Sequence, residues 1–177
     1  MAHTLCEISA GFALQCKDGI GGIKNLYLGK WSDFGPSITI NPTTGYVTSM
    51  GANDIYKFYL PKHTANFEQT GNMDINNGTV FYTQTITATF HKLNNERSLQ
   101  LQELAKMRMV AVVEDNNGNF FVFGVVDAVE VTAMTAPSGT AKSDLNGYTI
   151  TFTAEEKTLA PMFPTFLDDM SIVDGSI

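Results

Sequence analysis

The residues best suited to covalent or metal chemistry are few and scattered along the 177-residue chain. Cys6 and Cys16 stand ten apart, with no CxxC or Cys/His cluster of the kind that binds zinc, and we interpret both as reduced. The histidines have no HExxH motif and no partner four residues away, which favours solvated or core positions for all of them: His3, His63 and His91. The sequence therefore predicts no metal site and no cofactor.

Short acidic and glycine-rich motifs are equally weak as signs of an enzyme. Residues 19–22 (GIGG) are too short for a dinucleotide fingerprint and lack the Gly-Lys-Ser/Thr of a phosphate loop. Glu155-Glu156 and Asp168-Asp169 are adjacent pairs whose side chains diverge on a strand, so neither pair suits shared acid and base work. No G-x-S-x-G nucleophile elbow is present. We therefore expect no catalytic residues and a protein that is not an enzyme.

The amino-acid composition disfavours nucleic acid and membranes as binding partners. Eighteen acidic against eleven basic residues leave a formal charge of −7, whereas proteins that bind nucleic acid through its phosphates need a cationic surface. An anionic membrane surface is disfavoured for the same reason. No apolar run reaches the roughly 18 residues of a membrane-spanning helix, and the first residues lack the basic and apolar stretches of a signal peptide. We expect a protein made in the cytoplasm that has no membrane partner.

Apolar and polar residues alternate between Gly, Asn, Asp and Pro, which predicts a mainly β fold, an antiparallel sandwich or barrel. A single flanking helix is predicted at about 95–108, with an Asn at its N-cap. The hairpin that follows it, from residue 109 to residue 126, is almost continuously apolar, which is typical of strands buried on both faces. Further strands are predicted at 23–30, 37–40, 46–49, 55–60 and 148–153.

The predicted domain organisation is simple. Residues 1–160 form one domain, because no linker, repeat or low-complexity segment divides them. Residues 161–177 mix acids with Phe163, Phe166 and Leu167 without a regular period. We expect them to form a C-terminal tail that either packs on a neighbouring subunit or is partly disordered.

The most informative segment is a long predicted hairpin at about 66–91. Its centre, Asn77-Gly78, is the dipeptide that best suits a two-residue type I′ turn. Counting outward from that turn predicts that Asp74 faces Phe81, and that on each arm alternate side chains share a face. One face is then almost wholly polar and the other mostly apolar. The polar face carries Glu68, Thr70, Asn72, Asp74, Thr83, Thr85, Thr87 and Thr89.

Arms of about a dozen residues give a ribbon of about 40 Å at roughly 3.3 Å per residue, and a two-stranded ribbon of that length is not stable alone. Two interpretations remain open. The threonine-rich face is the solvent side of an ordinary antiparallel sheet, or ribbons from several copies join into a closed barrel and this face lines its lumen. Residues 66–91 contain no Lys or Arg, so such a lumen would be hydrated, weakly acidic and repellent to phosphate.

Four segments in this order resemble a known family. They are CKDGIGGIKNLYLG at 16–29, the hairpin at 66–91, LQELAKMRMVAVVEDNNGNFFVFG at 101–124 and SDLNGYTITFTAEEKTLAPMF at 143–163. Together they resemble the major tail tube proteins of tailed bacteriophages, whose fold is shared with the tube proteins of contractile injection systems. The resemblance implies a β-sandwich with one helix on its flank and a long hairpin ahead of that helix.

The resemblance also implies a function. The protein would be a structural virion component of the phage tail, assembled in the host cytoplasm as a hexameric ring that stacks into a tube. Its partners would be further copies of itself, other tail proteins, and genomic DNA that passes through without specific binding. The eight polar hairpin residues would line the channel, and no cofactor is implied.

Two alternatives remain at this point. One is another virion component on the same fold, such as a tail-completion or decoration protein. The other is a carbohydrate-binding or adhesive β-sandwich, whose usual sign is a planar patch of exposed aromatic rings. The rings available for such a patch are Trp31, Tyr56, Tyr59 and Tyr82. Twelve Phe and one Trp indicate instead that most aromatic rings of the chain lie in a core.

Overall fold

The computed structural model describes residues 10–164 and 170–175. Within them the strands are β1 Ile23–Lys30, β2 Thr39–Ile40, β3 Val47–Ser49, β4 Asp54–Tyr59, β5 Ala65–Asp74, β6 Thr79–His91, β7 Met109–Asp115, β8 Phe120–Phe123, β9 Glu130–Thr135, β10 Gly147–Glu156, β11 Met162–Phe163 and β12 Ser171–Asp174. The helices are α1 Trp31–Phe34, followed by a 3-10 turn at Gly35–Ser37, and α2 Asn95–Leu104. The prediction of a mainly β, antiparallel fold with a flanking helix is confirmed.

Two sheets pack against each other. The large sheet has the order β11-β8-β7-β1-β4-β12, and only its β4–β12 pair is parallel. The small sheet has the order β5-β6-β10-β9 and is antiparallel throughout. Apolar side chains from both sheets form the core between them, among them Leu26, Leu28, Ala111, Val113 and Phe123 of the large sheet and Ile86, Ala88, Ile150 and Phe152 of the small one.

The large sheet is covered on its second face as well. There Tyr27, Val110 and Val112 pack with Phe34, Val47 and Met50 from the segment that contains α1, β2 and β3. All seven residues of β7 are buried. The prediction that this hairpin is buried on both faces is confirmed, and the double burial explains why its apolar run does not alternate.

Helix α2 differs from its prediction at the C-terminal end. Asn94 caps it, with its side chain accepting a hydrogen bond from the Glu96 N–H at 3.2 Å. Leu101 is buried, whereas Ala105, which follows the last helical residue, is exposed. The helix ends at Leu104 rather than at 108, because a tight turn with hydrogen bonds three residues apart leads the chain directly into β7. The four-residue helix α1 was not predicted.

The described part of the C-terminal tail belongs to the same domain. Strand β11 pairs with β8 and strand β12 pairs with β4, so these residues supply both edge strands of the large sheet. Residues 162–163 and 171–174 therefore pack within their own domain, where the sequence analysis expected a tail that packs on a neighbouring subunit or is partly disordered. The physical reason is that β8 and β4 would otherwise leave rows of unpaired backbone groups at the sheet edges. Phe166, Leu167, Asp168 and Asp169, like Cys6 and His3, lie outside the described residues.

Candidate functional site

The turn of the long hairpin is a four-residue loop, Ile75 to Gly78, and not the predicted two-residue turn. A type I′ turn needs a positive φ at both central residues, and of these two only Gly78 has one, at 64°. The carboxylate of Asp74 organises the loop instead. Its Oδ1 accepts the backbone N–H groups of Asn76 at 2.9 Å and Asn77 at 3.1 Å, which is an Asx-type turn. The predicted turn type is therefore wrong.

The register of the hairpin moves with the turn. Asp74 lies opposite Thr79 rather than Phe81, and Glu68 lies opposite Thr85 rather than Thr87, so each pair is displaced by two residues. Side chains alternate with a period of two, and an even displacement therefore leaves every side chain on its predicted face. The structure places all the candidate residues on one face of the small sheet: Glu68, Thr70, Asn72, Asp74, Thr83, Thr85, Thr87 and Thr89.

Strands β10 and β9 widen this face. Thr149, Thr151 and Thr153 of β10 lie directly opposite Thr89, Thr87 and Thr85 of β6, and β9 pairs with β10. We call the whole surface the threonine face. Apart from Phe81 and Ala133 it is polar, and it carries Asn66, Glu68, Thr70, Asn72, Asp74, Thr83, Thr85, Thr87, Thr89, Thr132, Thr135, Thr149, Thr151, Thr153 and Glu155. The sequence analysis missed this extension. The signal was present, because Thr-x-Thr-x-Thr at 149–153 repeats the alternation of the hairpin.

Polar side chains on the threonine face bond to one another. The hydroxyls of Thr89 and Thr149 are 3.2 Å apart, those of Thr132 and Thr153 are 2.9 Å apart, and the Asn72 amide donates to the Thr83 hydroxyl at 2.8 Å. None of the strands β5, β6, β9 and β10 contains a Lys or Arg. Acidic groups are present, as Glu68, Asp74 and Glu155. The face is therefore hydrophilic and weakly acidic, and its own strands supply no cation to hold a phosphate.

The opposite face of the hairpin is buried over only half its length. Near the base, Ile86 and Ala88 are buried, and the Phe67 ring lies 5.3 Å from that of Phe123 in the large sheet. Beyond the Gly71–Tyr82 pair the hairpin extends past the sandwich. We call its end the apolar tip, where Met73, Ile75 and Val80 are 68%, 96% and 54% exposed. Among the described residues nothing covers these three side chains.

Two glutamines, Gln84 buried and Gln69 partly buried, mark where the hairpin leaves the core. Gln69 and Gln84 lie opposite each other on the face that packs inward. The Gln84 amide donates to the carbonyl of Thr158 at 3.2 Å, and the Gln69 carbonyl accepts the Ala160 N–H at 2.7 Å. These polar residues on an apolar face therefore fasten the chain that follows β10 onto the hairpin.

The small sheet has two free edges. Strands β5 and β9 are its outermost strands, and no described strand pairs with the outer side of either. Strand β5 is ten residues long and contains no Pro, so it presents a long row of unsatisfied N–H and C=O groups. Edges of this kind are templates for pairing with another chain.

The buried carboxylates have structural partners. Burial raises the pKa of Glu114, but hydrogen bonds from Lys24 and Asn25, both at 2.6 Å, outweigh burial and hold that pKa below its usual value. Glu156 accepts the N–H groups of Val126 at 2.8 Å and Asp127 at 3.0 Å, and burial raises its pKa. Glu155 and Glu156 thus diverge, as predicted: Glu155 belongs to the threonine face and Glu156 to the core.

The described residues form neither a metal site nor a membrane-spanning helix. No three His, Cys, Asp or Glu side chains of residues 10–164 and 170–175 come together as a metal site. In the same ranges, neither helix has the length and apolar character needed to cross a bilayer.

The four rings considered for a sugar platform do not share a surface. Tyr56 and Tyr59 are three residues apart on β4, so they project from opposite faces of the strand. The Arg108 guanidinium lies over Trp31, 4.8 Å from the ring centroid, and Tyr82 lies on the inward face of the hairpin.

No family model, no curated protein and no solved structure matches the chain. Function is therefore inferred from its own geometry.

Proposed function

We propose that the protein is a structural subunit of a bacteriophage virion that assembles into rings stacked as a tail tube, a passive conduit for DNA. The observation that carries the proposal is the small sheet with both of its edge strands, β5 and β9, unpaired among the described residues. Edge β5 of one copy can pair with edge β9 of the next. A repeated contact between unlike edges closes into a ring when the rotation allows it, and the joined sheets then form one barrel without edges.

The threonine face lines the lumen of that barrel. The other face of the small sheet already packs on the large sheet, so only the threonine face is left to point into the lumen. DNA binds proteins chiefly through contacts between phosphates and Lys or Arg. A wall of hydroxyls with Glu68 and Asp74 stays hydrated, and its strands offer the phosphates no Lys or Arg.

The apolar tip supports assembly as well. Met73, Ile75 and Val80 expose most of their apolar surface to water, next to the free edge of β5. Clustered exposed apolar side chains commonly mark protein–protein contacts. In the proposed ring the apolar tip packs against the neighbouring hairpin, so part of the interface is already exposed in the monomer.

Electron microscopy and light scattering across a concentration series test the proposal. Rings or tubes with a central hole are the expected result, and deletion of residues 76–78 at the tip should abolish them. A particle that stays monomeric at every concentration would contradict the proposal and favour a binding module. Discrete rings that never stack would instead favour a tail-completion or decoration protein.

The acidic lumen has its own test. Changing Glu68→Lys and Asp74→Lys together should leave tubes intact but make them retain DNA in a salt-sensitive way, because the wall then carries cations. The matched control is Glu68→Gln with Asp74→Asn, which removes the same negative charges without adding positive ones and keeps an acceptor for the turn. Equal DNA retention by wild-type, Lys and amide tubes would argue against a lumenal threonine face.

A further inference from the structure

Residues 10–19 form an exposed segment, which we call the arm. Every one of its residues is exposed, and the side chains of Phe12 and Leu14 are fully so. Because they are two residues apart, they project on the same side when the chain is extended. Two large exposed apolar side chains form a surface suited to protein contact, and no described residue covers them.

The base of the arm is fixed by two asparagines. The Ile20 N–H donates to Asn117 Oδ1 at 2.8 Å, and the Asn117 amide donates back to the Ile20 carbonyl at 2.7 Å. The Asn116 amide donates to the Gly21 carbonyl at 2.7 Å. Gly22 has a φ of 98°, and a Cβ there would lie 2.8 Å from the Asn116 amide nitrogen, so this close contact requires glycine. The arm therefore starts from a defined point at the β7–β8 turn.

A groove of about 1280 Å³ lies between α2 and the strands β1 and β4. Its apolar lining includes Leu28, Tyr56, Phe58, Leu99, Leu104 and Met107. Leu101 is the only residue of α2 that is buried, while Leu99 and Tyr56 are 55% and 51% exposed. The helix thus stands partly away from the sheet, and we call the space between them the helix groove.

The arm and the helix groove lie at opposite ends of β1. Strand β1 pairs with β7 from Ile23 opposite Asp115, next to the fixed base of the arm, to Lys30 opposite Met109, which both line the groove. Seven residue steps at roughly 3.3 Å separate these ends by about 23 Å. Phe12 is eight residues from Ile20 and reaches at most about 28 Å when fully extended, so docking in its own groove leaves almost no slack.

We propose that Phe12 and Leu14 of one copy dock in the helix groove of a second copy. The occupant is argued from the chain itself, which carries an unpartnered apolar arm at one end and an unpartnered apolar groove at the other. A contact between unlike surfaces at opposite ends does not close on itself within a pair and propagates from copy to copy. The inference rests on the proposed tube, in which this contact joins each ring to the next.

Removal of the apolar groups tests the stacking role. The full chain with Phe12→Ser and Leu14→Ser should give particles of single-ring mass, with tubes reduced at least tenfold in electron micrographs. The matched control, Ala13→Ser with Gln15→Ser, changes the same segment without removing large apolar groups and should form tubes as the wild type does. Tubes of normal number and length from the Phe12/Leu14 variant would overturn the arm contact, while rings would still support the proposed function.

Cross-linking tests the contact independently of rings. In a chain with Cys6→Ser and Cys16→Ser, we would introduce Leu14→Cys and Gln100→Cys, since Gln100 is exposed and lines the helix groove. Oxidation should give a ladder of covalent dimers, trimers and larger species. A control pair, Val126→Cys with Gln100→Cys, uses an exposed position away from the groove and should give none. An internally cross-linked monomer, or no cross-link at all, would overturn the proposal.

Discussion

Two hairpins in this molecule turn on the same three residues but lie in different surroundings. Asn-Asn-Gly occurs at 76–78 between β5 and β6 and at 116–118 between β7 and β8. In both, the preceding aspartate accepts backbone N–H groups of the turn, and the glycine has a positive φ. The second turn is hydrogen-bonded to the segment 20–22, whereas the side-chain hydrogen bonds of the first turn join it to Asp74 of its own hairpin.

The difference shows that turn chemistry forms a hairpin without deciding its role. The β7–β8 hairpin lies in the large sheet, with β7 buried along its whole length, and its turn anchors the arm. The β5–β6 hairpin is covered on one face over half its length and ends in the exposed apolar tip. A hairpin enclosed on both faces contributes to the stability of its own domain. One that is half covered keeps surface for another molecule.

The largest contrast is expected from truncating one apolar side chain in each hairpin. Phe123→Ala in β8 removes a fully buried ring that packs on Phe67, and should lower the free energy of unfolding by about 3–5 kcal/mol. Met73→Ala at the apolar tip should change it by less than about 0.5 kcal/mol, because that side chain is mostly in water. Urea unfolding, at protein concentrations too low for assembly, measures the free energy of unfolding of both variants. Equal losses of that free energy would contradict the comparison.

Acid should destabilise the fold through Asp115, the aspartate of the β7–β8 turn. Burial raises the pKa of Asp115, but hydrogen bonds from Asn119 and Asn117 outweigh it and hold the pKa below its ordinary value. A carboxylate with a lowered folded pKa stabilises the fold above its unfolded pKa, and that stability is lost as the pH falls through the folded value. Asp115→Asn should therefore cost about 1–2 kcal/mol at pH 7 and reduce the loss of stability towards pH 3.

The control for Asp115 is Asp74→Asn in the exposed turn. It keeps the acceptor for the turn's N–H groups, so the free energy of unfolding should change by less than about 0.5 kcal/mol. Urea midpoints between pH 7 and pH 3 compare the variants. An Asp115→Asn curve parallel to the wild-type curve would show that this carboxylate does not stabilise the turn.

The smallest effect is expected from the asparagines. Asn117→Ala removes two hydrogen bonds to Ile20 and should cost about 1 kcal/mol locally, so that amide exchange at Ile20 rises about fivefold. Asn77→Ala removes only an exposed bond to Asp74 and should leave Ile20 unchanged. Hydrogen exchange followed by mass spectrometry or NMR gives the comparison, and unchanged protection of Ile20 in Asn117→Ala would mean that the arm base is held by other contacts.

Much of the fold could be read from local pattern. Strand β1 begins and ends at the predicted residues and strand β7 begins at the predicted residue 109, because each is a clear run bounded by turns or by the helix. The turn at 75–78 was mispredicted, since the preference of Asn-Gly for type I′ competes with the carboxylate of Asp74, which closes a longer loop. Strand β9 was missed, because Glu130 to Thr135 is mostly exposed and becomes a strand only by pairing with β10.

The sequence by itself determined which side chains of the hairpin share one face and that no Lys or Arg stands in the hairpin, because alternation is a property of each strand alone and survives a displacement of two residues. Only the tertiary structure decided that β10 and β9 extend this face, that Gln84 is buried, and that β5 and β9 are left as free edges. Those outcomes depend on which strands lie side by side. Such pairing joins segments far apart in the chain, and no local pattern encodes it.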